Sequence, residues 1–396
     1  MKKTPSVTSW FLACVATFFT RAFLYSTWVS RGPEVKAALH LNTADMGLFV
    51  MLYPLGGLIG VLFAGKLRER FGSSALTYVG FTVSATAFAG LALTVPAGNV
   101  LVSSVLLFVM GLPMSIADFI TNYQATAVSA RSTRTLMPAI HSAFGLGMML
   151  GAGAANLFIG ADVGIRNEYL ITAVIVLLPA LWAAYIYPPE VVTAPDGSTA
   201  ASTEASEGKP RSPWTEPRTL KIAVIGFMFI MAEMAAATWV PIALVDSGTS
   251  TGAAAAALGA FWIVVTAVRA VGGLLVDRLG RQRTIFLSAV SVAVGIDVFA
   301  FTPVVHLPYL GLVLWAGGMA MGFPLAISSM GDEPGRASAR INMIISVVYI
   351  SSITAGPSLG FVGQSLGIYV SFAIPITLAI VSAILSPATK KLGAPA

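Results

Sequence analysis

Twelve stretches of this chain are long and apolar enough to cross a bilayer, and that pattern leaves few folds open. They run over residues 10–30, 44–65, 74–95, 99–129, 136–160, 168–187, 219–245, 252–276, 284–302, 307–329, 338–362 and 364–386. A hydrocarbon core about 30 Å thick takes about 20 helical residues. Lipid offers no partner to an open backbone group, so each stretch must be a helix or pair into a closed barrel. Barrel strands are short and alternate in polarity; these runs are continuous, which selects helices. The expected fold class is an all-α membrane protein of twelve transmembrane helices. Charge supports this, since only 10% of residues are charged and mean hydropathy is +0.83, against roughly 25% charged in a soluble domain.

The basic residues set an expected orientation. With the N-terminus inside, Lys2, Lys3, Lys66, Arg68, Arg70, Arg131, Arg134, Lys209, Arg211, Arg218, Lys221, Arg278, Arg281, Arg283, Arg336, Arg340, Lys390 and Lys391 fall on one side, 18 of 23. Only Arg31, Lys36 and Arg166 fall on the other. Positive charge gathers on the cytoplasmic face, so both termini are expected there. The net charge of +6 therefore reports membrane placement, and nucleic acid is not an expected partner. Lys2 and Lys3 ahead of an apolar run resemble a secretory signal, but no small-residue cleavage site closes that run, so it reads as a retained first helix. Residues 188–218, rich in Pro, Ser, Thr, Glu and Gly, cannot bury enough surface to fold alone. They read as a cytoplasmic linker between a first half, residues 1–187, and a second, residues 219–396.

Several tempting motifs are declined. Gly356-Pro-Ser358-Leu-Gly360 fits a hydrolase elbow but lies inside an apolar run rather than between strand and helix. Gly147 and Gly151 suit a G-x-x-x-G packing face better than a dinucleotide loop. The single cysteine, Cys14, excludes a disulfide within the chain and any multi-cysteine metal site. No enzyme activity, metal or cofactor is expected.

A charged turn appears twice, 208 residues apart, after the second apolar stretch of each half. The stronger copy is Gly273-Leu-Leu-Val-Asp277-Arg278-Leu-Gly280-Arg281. The weaker is Gly65-Lys-Leu-Arg-Glu69-Arg70-Phe-Gly72, where Ser73 and Ser74 stand in place of basic residues. A recurrence at fixed spacing reads as one fold used twice. The spacing G-x-x-x-[D/E]-R-x-G between two membrane helices resembles the signature loop of the major facilitator superfamily. Residues 28–39, with Asp45 and Gly47, more loosely resemble bacterial permeases of the fucose permease type. The resemblance implies a monomeric secondary transporter of the bacterial inner membrane, in which segments 1, 4, 7 and 10 line a central cavity. It also gives the signature loops a gating role, in which Gly65 and Gly273 permit close helix approach and Asp277 accepts hydrogen bonds from a neighbouring helix end.

Ionisable residues inside the spans are the candidate site, because charge at membrane depth is costly and marks a pathway. Arg21 lies near the midplane on a stripe with Thr17, Tyr25 and Trp28. Asp118 shares a stripe with Ser115, Asn122 and Ser129 and could pair with Arg21. Glu233 has no basic partner nearby in sequence, so burial favours its protonated form and makes it the leading proton-coupling group, ahead of Asp118. Trp315, Phe323 and the glycines 317, 318 and 322 of segment 10, with Asn342, Ser346 and Tyr349 of segment 11, complete the expected substrate pocket. Arg269 is assigned to the gate, and His141 to a local hydrogen bond. The functional expectation is proton-coupled transport of a small polar solute, sugar-like or carboxylate, by alternating access. A drug or metabolite exporter and a non-transporting membrane sensor remain alternatives. The Gly-Pro pair expected in helix 5 of drug exporters is missing, since that region reads Gly151-Ala-Gly153-Ala.

Overall fold

The computed structural model describes residues 5–129, 131, 132, 136–188, 212–302 and 307–391. The first half holds α1 (Val7–Ser30), the short α2 (Gly32–Ala38), α3 (Thr43–Thr94), α4 (Val100–Ser129), α5 (Met137–Gly160) and α6 (Ile165–Ile186). The second holds α7 (Pro217–Asp246), α8 (Thr251–Leu279), α9 (Arg281–Phe301), α10 (Leu307–Met330), α11 (Pro334–Leu366), α12 (Ile368–Ser371) and α13 (Ala373–Leu385). Eleven of the described helices are long and apolar enough to cross a membrane, with α12 and α13 continuing into one such span. The 52-residue α3 crosses twice, because its helical path breaks at Gly72. Each half therefore contributes six crossings, and the protein is a multi-pass membrane protein. Most of the linker, residues 189–211, lies outside the described residues, as do Lys2, Lys3, Arg134, Lys209 and Arg211. The last linker residues are already structured, as a 3-10 turn at Pro213–Thr215 and the first turn of α7.

The two charged turns share one backbone solution. Gly72 adopts φ 75°, ψ 160° and Gly280 adopts φ 76°, ψ 157°. Only glycine occupies that region without strain, so the spacing encodes a break between two helices rather than helix contact. The expected close approach at the first glycine is not made: a Cβ on Gly65 or Gly273 would meet nothing within 4 Å. The tight crossings sit elsewhere. Gly147 and Gly151 of α5 pack against the backbone of α1 at Phe19 and Phe23, the G-x-x-x-G use expected of them.

The halves meet most closely at the end that carries α2. A Cβ on Gly47 of α3 would lie 2.5 Å from the Gly356 carbonyl oxygen and 3.0 Å from Gly360 Cα, both on α11. At that end the Thr43 amide donates to Gln364 Oε1 (2.9 Å), Lys36 Nζ to Asp246 Oδ2 (3.3 Å) and Asn156 Nδ2 to the Gly252 carbonyl. At the opposite end, which carries both termini, described charges pair inside the second half. Asp332 accepts from Arg218 and from both terminal nitrogens of Arg281, and Glu216 accepts from Arg336 and Arg340. Burial would raise the Asp332 carboxyl, but its bonds from Arg281 and Arg218 outweigh that and hold it below the ordinary aspartate range. Arg281 also donates to the Thr389 carbonyl, so it is anchored rather than free. Asp277 and Arg278 are exposed, with no hydrogen bond to any described residue, and Glu69 is exposed as well. The expected acceptance by Asp277 from a helix end is absent here.

Candidate functional site

A cavity of about 530 Å³ lies between the halves. Helix α1 sends in Arg21 and Tyr25, α4 sends Ser115, Asp118 and Asn122, and α11 sends Tyr349 and Ser352. The α3 backbone passes close behind at Gly57, where a Cβ would lie 3.4 Å from the Tyr349 ring. Helix α7 contributes Met234 and Thr238, and α10 contributes Phe323 and Ile327.

Arg21 and Asp118 form the central feature. Arg21 Nη2 lies 2.9 Å from Asp118 Oδ1, and both side chains keep part of their surface open to the cavity, 23% and 30%. The Asn122 amide donates to the Asp118 carbonyl (2.9 Å) and lies 3.4 Å from its carboxylate. Arg21 also stands over the Phe144 ring at 4.9 Å, which shields one face of the guanidinium. Its Nε is buried without a partner. The pair is thus complete at one corner and unfinished at another. Tyr25 and Tyr53 pack with ring centroids 5.3 Å apart, and the Tyr25 hydroxyl reaches the Met234 sulfur at 3.7 Å.

Several expected residues do not reach this space. Trp315 is fully buried among Phe261, Phe299 and Phe372 on the far side of α10. The reason is the glycine face of that helix: Gly318 faces the α9 backbone, where a Cβ would lie 2.6 Å from the Ser288 carbonyl, so the face turns away from the cavity. Trp28 packs between Phe49 and Tyr169 in the first half. Asn342 and Ser346 are exposed but do not line the cavity, and Ser346 donates to the Asn342 carbonyl within α11.

The other charges are placed differently from expectation. Glu233 does have a basic partner, because Arg269 of α8 brings Nη2 to 3.7 Å from its carboxylate. That partner lies 36 residues away, invisible to a local reading. Arg269 Nε also donates to the Ala320 carbonyl (3.1 Å), which ties it to α10 behind the cavity. His141 is exposed on the cavity wall near the terminus-bearing end and makes no hydrogen bond to a described residue, contrary to the local role expected of it. Sequence reasoning missed Tyr53, Phe144 and Thr238. Their signal was weak, since a tyrosine or threonine on an apolar helix is ordinary core.

The comparisons with known proteins fit this geometry. The profile of the Major Facilitator Superfamily matches residues 10–357. An uncharacterised MFS-type transporter of Yersinia pestis is 24% identical over 90% of this chain and 89% of its own length. An uncharacterised transporter of Sinorhizobium fredii is 25% identical over 95% of this chain and 97% of its own. Among solved structures, a mutant of the nucleoside transporter NupG aligns with a TM-score of 0.75 at 15% identity, covering 96% of this chain and 99% of that one. A D-xylose-proton symporter aligns with a TM-score of 0.72 at 15% identity, covering 95% and 96%. The likeness to these structures shows the fold, and the profile match over most of the chain shows more: this chain belongs to the Major Facilitator Superfamily and is a membrane transporter rather than an enzyme.

Proposed function

We propose that the protein is a proton-coupled symporter of a small, polar, largely uncharged solute bearing hydroxyl groups. The carrying observation is the Arg21–Asp118 pair, half-open on the wall of a cavity between the two halves. One cation beside one anion offers donors and acceptors together with little net charge, which suits hydroxyls better than an isolated ion. The rings of Tyr25, Tyr53 and Tyr349 supply flat apolar faces for a sugar or a nucleobase. The structural likeness to nucleoside and D-xylose-proton transporters supports that class.

Asp118 takes the leading place as the proton-coupling group, since it lines the cavity and Glu233 does not. When Asp118 is ionised, Arg21 holds it. When it takes a proton, the pair loosens and Arg21 is freed toward the solute. Glu233, paired with Arg269 behind the cavity wall, is the second candidate. The positive-inside pattern supports a cytoplasmic placement of the terminus-bearing end, and close packing of the halves at the α2 end supports reading this arrangement as inward-facing. The signature loops, unlatched here, would engage when access switches. One copy of the chain contains the whole pathway and acts as a monomer.

A second reading is export of an apolar compound, favoured by Met114, Phe119, Phe144, Met234 and Phe323 on the same wall. A thermal-shift screen of the purified protein against pentoses, hexoses, nucleosides, organic acids and lipophilic cations, at pH 6 and pH 8, separates them. Ligand at 100 times its dissociation constant adds about 2.7 kcal/mol to apparent stability. A shift with a sugar or nucleoside that is lost in Arg21→Ala supports symport. A shift with lipophilic cations alone, indifferent to Arg21→Ala, overturns it in favour of export.

A further inference from the structure

We infer that the first half carries a binding groove for an anionic phospholipid on its lipid-facing flank, between the two crossings of α3 and helix α4. Two apolar hollows, of about 330 and 420 Å³, lie side by side there and share Leu67, Leu112 and Ile116 as common walls. The first is floored by Ile59, Gly60, Phe63, Lys66, Leu67 and Arg70 of α3. Those positions follow helical spacing and form one face of α3. The second continues past the Gly72 break along Ala75, Val79 and Val83, against Val109 and Pro113 of α4. Phe63, Phe71 and Val79 are each about half exposed along this line, at 53%, 50% and 52%.

The apolar face ends in two cations. Lys66 and Arg70 are four residues apart, about 6 Å along the helix, and both are exposed. Neither has an acidic partner among the described residues, and Arg70 rests over the Phe71 ring at 5.4 Å. They stand in the last turns before Gly72, where the span ends and the headgroup layer begins. An apolar channel at acyl depth, capped by two unpaired cations at headgroup depth, complements one occupant: a diacyl lipid with an anionic phosphate headgroup. Zwitterionic lipid would bring a cation of its own against these two. The second half lacks this device, for the position matching Lys66 is Leu274. The first signature turn thus carries a basic, lipid-facing edge at Lys66 and Arg70.

The test uses the purified full-length protein and needs no transport assay, so its outcome is independent of the proposed substrate. The protein is equilibrated with phosphatidylglycerol and phosphatidylcholine of identical acyl chains, and retained lipid is read by native mass spectrometry. Wild type is expected to prefer phosphatidylglycerol by about fivefold for each cation engaged. The double variant Lys66→Gln/Arg70→Gln should lose that preference. Arg283→Gln, an exposed cation at the same end of the bundle, should keep it. Ala75→Trp leaves both cations in place and fills the groove, and should lose both bound lipids. Equal retention of the two lipids by wild type, or a preference that survives in either groove variant, overturns the proposal.

Discussion

Substitution of Gly47 by alanine should open the α2 end of the bundle. The new methyl would lie 2.5 Å from the Gly356 carbonyl oxygen and 3.0 Å from Gly360 Cα, where ordinary contact begins at 3.4 Å. Both neighbours are backbone, so no side chain can swing aside, and α3 and α11 must part by about 0.9 Å. Overpacking of this kind costs about 1–3 kcal/mol, which corresponds to roughly 5–150-fold in a two-state equilibrium. The cost falls only on the state in which this end is closed, because the helices separate when it opens. Spin labels at Ala37 and Ser247, exposed on opposite halves near this end, read the change as a distance distribution by pulsed electron resonance. The buried Cys14 leaves little background labelling. Wild type should populate mainly the short distance and Gly47→Ala the long one. Gly356→Ala should do the same, and the double variant should add little, since both methyls disrupt one contact. A folded Gly47→Ala variant with the wild-type distribution would refute the reading that this crossing holds the α2 end closed.

Three further outcomes are expected. Asp332→Asn leaves Arg218 and Arg281 facing a weaker partner in a largely buried cluster, and breaking such a pair costs about 3–5 kcal/mol; the melting temperature in detergent should fall clearly. Because Asp332 is held below the ordinary aspartate range, its contribution is full above about pH 4 and is lost only as pH falls through the lowered value, so the wild-type minus Asp332→Asn stability difference should stay flat from pH 5 to pH 8. Gly280→Ala forces a side chain into a backbone region essentially reserved for glycine, at about 1–3 kcal/mol; it should lower the melting temperature, and Gly72→Ala by a similar amount, whereas Gly273→Ala should not, having open space. Finally, Asp118→Asn should abolish uptake driven by a pH gradient while exchange of solute persists, and Glu233→Gln should retain gradient-driven uptake. The reverse pattern in proteoliposomes would hand the coupling role to Glu233.

The sequence carried the architecture because membrane burial is a one-dimensional constraint: a span is apolar along its length wherever its neighbours lie. Twelve crossings, two halves and the repeated turn were all readable from it. The site was readable only where a residue type has no cheap alternative at depth. Arg21 and Asp118 stand out as ions in lipid-depth helices, and the structure joins them. Trp315 misled because an aromatic side chain is equally at home in a core, and which face of α10 meets the cavity depends on the α9 contact at Gly318. Arg269 escaped because its partner Glu233 lies on another helix, and pairing across helices leaves no periodic trace. The signature glycines show the same limit from the other side. Spacing marked them, but only the backbone angles show that Gly72 and Gly280 are the constrained ones and Gly65 and Gly273 are not.

The two ends of the bundle are held by different forces, and that difference bears on how coupling can work. At the α2 end the halves are joined by backbone contact at glycines, with a few exposed polar bonds, so closure there is governed chiefly by shape. At the other end the strong charge pairs are internal to the second half, and Asp332 stays ionised through the physiological range. Among the described residues, Lys36 and Asp246 form an ion pair between the halves, partly exposed at the α2 end. Under the proposed coupling the proton acts at the cavity, whose wall carries Arg21, Asp118 and, from the α3–α11 crossing, Gly356. Tyr349 and Gly356 are two turns apart on one helix, the first on the cavity wall and the second in the crossing. Movement of α11 as solute and proton load would reach the glycine contact without any intermediate, and α11 is accordingly the element through which occupancy would set access.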